Sequence, residues 1–138
     1  MLAVLSISAS AQYLKWIRVT PEEMASEYGI FVSDRIMKPA IGSQSGYKVW
    51  VKWEFYTEKA KEHFETTDFR RMCLYEISPD LVQIRVLRVT LYNINGNVTD
   101  SFNFEPTLSD ADWEYPNPES VFDAVIECVK NILNGKPE

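Results

Sequence analysis

One histidine and two cysteines leave this chain short of the residues from which most metal and acid–base sites are built. A zinc site takes about four ligands, more than two cysteines and one histidine supply. His63 stands in the charged stretch Thr57–Asp68 with nothing in the sequence to position it, as a general base requires. The Gly-x-Ser-x-Gly elbow, the phosphate-cradling glycine loop and the dinucleotide fingerprint are all missing. These gaps predict a protein that is not an enzyme and carries no cofactor or metal. Asp110, Asp112 and Glu114 alternate like the opening of a calcium loop. Tyr115 stands where that loop needs glycine and Val121 where it needs glutamate, so the stretch reads as a solvated acidic turn.

Positive charge is scarce as well. A net charge of −6 and a pI near 4.9 exclude a sequence-blind nucleic-acid binder, which needs a concentrated basic face. No apolar run is long enough to span a bilayer. There is no internal repeat and no low-complexity tract, so 138 residues read as one domain. Hydrophobic residues at 46% and aromatics at 13% supply a packed core.

Residues 1–11 are apolar and small, and Ala9-Ser10-Ala11 before Gln12 has the form of a signal-peptidase site. The reading is a signal-peptide remnant at 1–11 followed by a single domain at 12–138, exported to the periplasm, the cell surface or the medium. The alternative is a buried N-terminal strand. In an exported chain, Cys73 and Cys128 are most simply a disulfide, the alternative being two buried thiols.

Alternation of apolar residues predicts strands at Tyr13–Thr20, Gly29–Asp34, Tyr47–Tyr56, Phe69–Ile77, Leu81–Tyr92 and Asn97–Glu105. The fifth changes phase near Val86, which suggests a bulge, and Asn95-Gly96 is a hairpin turn. Thr57–Asp68 has too few apolar residues for a buried element and reads as an exposed excursion. Asn117–Gly135 is the clearest helix: Asn117 as cap, Pro118 in the first turn, Gly135 as a left-handed stop, and Val121, Val125, Cys128 and Ile132 on one face. The fold class is α+β: an antiparallel meander of five or six strands, with one C-terminal helix packed on the face that bears Cys73 and tied there by the disulfide.

Trp50 falls out of phase with Val49, Val51 and Trp53 and lies between Lys48 and Lys52, so it points away from the helix toward solvent or a partner. Lys59, Lys61, Arg70 and Arg71 form the densest basic group. These seven residues are the candidate partner-binding set.

The order of features is familiar. Trp16 opens the first strand, Ile30–Asp34 ends in an aspartate before a turn, and Val49-Trp50-Val51 lies in the next strand. Cys73 sits in a strand, a long strand leads into Tyr92-x-x-x-Gly96, and Trp113 and a proline pair precede a helix with Cys128 in its back half. Over roughly residues 13–133 the chain resembles the surface-adhesin protein E family of small exported bacterial domains. The resemblance implies a sheet with a C-terminal helix clipped to it by a disulfide, attachment to host matrix or serum proteins, and self-association into a homodimer. The chain departs from that adhesin at Ala11-Gln12, where a lipid-anchored member carries cysteine. It departs again at Glu58–Asp68, where acidic residues are mixed with Lys59 and Lys61.

Overall fold

A computed structural model describes residues 15–42 and 45–135. Six strands, β1 (Trp16–Arg18), β2 (Tyr28–Ser33), β3 (Tyr47–Phe55), β4 (Arg70–Ile77), β5 (Ile84–Tyr92) and β6 (Val98–Asn103), form one sheet in chain order with every pair antiparallel. The meander follows from local chemistry, because each connection is short enough to return the chain beside the strand it left. At Asn95-Gly96, the side chain of Asn93 accepts the amides of Asn95 and Asn97, both at 3.0 Å, and Gly96 takes φ +83. The phase change in β5 is a register shift: Tyr75 pairs with Val86 and Leu74 with Arg88, leaving Leu87 unpaired between them.

The C-terminal helix α2 (Val121–Leu133) covers one face. Its Val125, Ile126, Cys128 and Val129 are buried with Ile30, Val32, Val49, Val51, Trp53, Phe55, Cys73, Tyr75 and Ile77 in a single cluster. The helix begins three residues later than its sequence suggests. Ser120, not Asn117, is the cap, its hydroxyl accepting the Asp123 amide at 3.3 Å. Residues 117–120 form a turn closed by the Ser120 amide on the Asn117 carbonyl, with Glu119 left-handed at φ +64. The stop is as expected, with Gly135 at φ +73.

Two further expectations are corrected. Thr57–Asp68 is not a bare excursion: it contains a short helix, α1 (Glu58–His63), whose cap Thr57 accepts the Ala60 amide at 3.1 Å. Directly after it, Phe64 reaches into the core. Its ring centroid lies 4.9 Å from Tyr28, 5.7 Å from Trp53 and 5.4 Å from Phe55. One large apolar residue was enough to anchor a stretch whose composition is otherwise polar.

The second correction concerns the disulfide. Cys73 and Cys128 are both buried, and they are not bridged. Here the Cys73 thiol engages Tyr75 on its own strand, and each cysteine packs as a small apolar side chain. Among the described residues, no helix is long and apolar enough to cross a membrane. The segment read as a signal-peptide remnant lies outside the described residues.

Candidate functional site

The two faces of the sheet differ in what they leave available. On the inner face, under α2, β4 presents Arg71, Cys73 and Tyr75 in succession. The Trp53 indole donates to the Tyr75 hydroxyl at 3.1 Å, and Tyr75 packs edge-on against Phe122 with centroids 5.4 Å apart. Burial pushes the Cys73 thiol up to about 11 against the lowering pull of Tyr75 and Arg71, and burial likewise holds the Tyr75 phenol well above its ordinary value. A thiol so disposed is protonated at neutral pH and is no nucleophile. The Arg71 guanidinium lies over the Trp53 and Phe55 rings at 5.5 and 5.4 Å, and its Nε is buried without a hydrogen-bond partner among the described residues.

On the outer face, Trp50 stands opposite Leu74 and is half-buried. The Lys52 ammonium sits 4.8 Å from the Trp16 ring centre and 5.0 Å from that of Phe31, engaging its charge within the chain. Lys48 is half-buried, and its backbone forms an isolated bridge with Met37. Arg70 donates to Glu54 through Nη2 at 2.7 Å and Nε at 3.0 Å. Burial raises the Glu54 carboxyl, but these bonds and one from Tyr56 outweigh it and set its pKa below the ordinary value.

The basic group does not come together as one patch. Arg70 and Arg71 alternate to opposite faces of β4. Lys59 and Lys61 stand on α1, 4.0 Å from Glu27 and 3.6 Å from Glu58. His63, at the end of α1, is exposed and packs edge-on against Phe64. Asp112 caps the turn Asp110–Asp112, accepting the Ser109 amide at 2.7 Å. Among the described residues, no cluster of histidine, cysteine and acidic side chains could hold a metal ion.

What the sequence reading missed lies at the far side of the sheet. The buried cluster under α2 reaches Ile84 of β5 but includes no residue of β6, all six of which are exposed. Phe102 and Phe104 stack with parallel rings 6.2 Å apart, at 42% and 40% exposure. After β6 the chain leaves the sheet through two tight turns and returns at Glu114, which bridges to Ile84. Between this excursion and β5 lies an open cavity of about 440 Å³. Its walls are Ile84, Val86, Val89, Phe104, Leu108 and Phe122, with Asp112 and Glu114 also lining it. Arg85, alongside, is committed: it donates to the buried Glu76 at 2.8 Å and to the Ser109 carbonyl at 3.1 Å, and it stacks on Trp113 at 4.2 Å. The in-phase Phe102 and Phe104 were visible as strand residues. That no element among the described residues covers them is a tertiary fact.

Compared with protein-family models, curated proteins and solved structures, the chain finds no match.

Proposed function

We propose that the chain is an exported, non-catalytic binding module of the surface-adhesin protein E type, which holds protein partners such as host matrix or serum proteins. The observation that carries this reading is the uneven cover of the sheet. α2 and Phe64 close the inner face of the core strands, while β6 and its stacked phenylalanines stay open at the edge. Exposed aromatic pairs of this kind suit protein contact. The outer face contributes less than its sequence suggests, because Lys52 and Arg70 are already engaged within the chain. The test is surface plasmon resonance of the purified chain against a panel of matrix and serum proteins, paired with protease shaving of intact cells. Saturable binding that Phe102→Ser weakens at least about tenfold is expected. Failure to bind any member of the panel, with the chain inaccessible to shaving, would leave a periplasmic assembly domain of the same fold.

A second reading, a carrier of a small ligand, is favoured by the cavity beside Phe104 and Phe122, whose volume falls in the range of small-molecule sites. Thermal-shift screening with small amphiphiles separates the two, since a carrier would gain stability from one of them.

A further inference from the structure

From Val89 to Val129 the chain has eight aspartates and glutamates and no lysine, arginine or histidine. Since the whole chain carries −6, the remainder is net +2. The acidic block comprises the end of β5, all of β6, the excursion and most of α2. The cations at its borders, Arg88 and Lys130, pair with Glu105 at 2.6 Å and Glu127 at 3.2 Å. Asp100 and Glu114 form no ion pair among the described residues.

The same block contains an open strand edge. The Phe104 amide donates to the Leu87 carbonyl at 2.8 Å, which fixes the alternation. Phe104, Phe102 and Asp100 turn their amides toward β5, while Asn103 and Ser101 turn theirs outward. The Ser101 amide is held at 2.9 Å by the carboxylate of Asp100 itself. That internal bond shields the edge, and a cation drawing off the carboxylate would release it.

We infer that β6 takes an extended, lysine- or arginine-rich segment of a partner protein as a seventh strand. The inference rests on the binding-module reading and specifies what that module recognises. Main-chain bonds to Ser101 and Asn103 hold the segment, in the manner of strand addition at sheet edges. Alternate apolar side chains lie on Phe102 and Phe104 and enter the cavity toward Val86, Leu108 and Phe122. Basic side chains on that same face, at the ends of the apolar pair, meet Asp100 on one side and Asp112 and Glu114 on the other. A second copy of this chain is the poorer occupant, because two-fold pairing at this edge would bring two acidic blocks together.

The probe is a blocked peptide in which valine and lysine share one face and serine occupies the other (Lys-Ser-Val-Ser-Val-Ser-Lys), titrated into the intact chain and followed by backbone amide NMR. Its controls are a glutamate-for-lysine peptide and a peptide N-methylated at alternate residues. The expected result is shifts concentrated in residues 98–104. Affinity should fall at least about tenfold with either control, and by a similar factor as salt rises from about 50 to about 500 mM. Ser101→Pro removes only an outward amide, so it should abolish binding without loss of fold, as proline is tolerated on edge strands. Asp100→Lys should weaken binding at least about tenfold and serves if the proline variant misfolds. Equal binding of the N-methylated or the acidic peptide overturns strand addition or charge selection respectively. Concentration-dependent pairing of β6 with itself, or silence at about 1 mM peptide, overturns the inference. If the peptide is silent while matrix-protein binding remains sensitive to Phe102→Ser, only this inference falls. If both are silent, the binding-module reading falls with it.

Discussion

Cys73 illustrates how a single residue changes meaning once its surroundings are known. As a thiol raised from 9.0 to about 11 by burial, it should resist aromatic disulfide reagents at neutral pH, reacting only as fast as the chain opens. The same shift makes stability depend on pH. Below pH 9 the folded and unfolded states both hold the proton. Between 9 and about 11 the unfolded thiol ionises while the folded one does not, so stability falls by about 2–3 kcal/mol as pH rises through that window. Urea midpoints measured across it check the sign, and Cys73→Ala should remove the fall between pH 9 and 10, leaving the part above pH 10 that the buried Tyr75 phenol adds. Glu76 is the second residue whose role the fold defines. At 2% exposure it accepts the Gly46 amide at 2.8 Å with one oxygen and Arg85 with the other. Glu76→Ala should cost about 2–4 kcal/mol by leaving the buried Gly46 amide unpaired and taking the carboxylate from the half-buried Arg85. Glu76→Gln, which keeps an acceptor, should cost less. Denaturant titration of the pair distinguishes charge from hydrogen bonding.

Among the elements, α2 and α1 draw their stability from different sources. The cap of α2 is Ser120, so Ser120→Ala should lower stability by about 1 kcal/mol while Asn117→Ala changes little. The reverse order in thermal melts would return the helix start to Asn117. α1 is a six-residue helix, too short to persist alone, and it stays because Phe64 is seated against Tyr28, Trp53 and Phe55. Phe64→Ala should cost about 3 kcal/mol and release α1. Hydrogen exchange of the Ala60–Phe64 amides would register that release before any loss in β3.

For the whole molecule, the apolar core and the exposed Phe102–Phe104 edge occupy separate regions. The apolar cluster under α2 holds the fold, and Val125→Asp, which places a charge in it, should unfold the chain. Trp50, half-buried on the opposite face, should tolerate alanine at much smaller cost, with any homodimer or partner contact at that face weakened. Sedimentation velocity alongside thermal melts reads both outcomes. A Trp50→Ala chain that unfolds as Val125→Asp does would make Trp50 a core residue.

Local pattern alone determined the meander, the bulge beside Val86, the Asn95-Gly96 hairpin and the stop of the final helix at Gly135. Each is set within a few residues, by alternation, by a turn that needs positive φ, or by the spacing of one apolar face. The composition likewise determined that negative charge predominates. Whether the two cysteines meet, whether a charged stretch is anchored by one phenylalanine, and which aromatic residues remain uncovered depend on contacts between distant segments. Cys73 and Cys128 share a cluster without being bridged, and Arg70 and Arg71 adjoin in sequence yet face opposite ways. Local pattern says which face a side chain takes. Only the packing of α2 over β2–β4 decided that Phe102 and Phe104, with the same alternation as the core strands, would be left at an open edge.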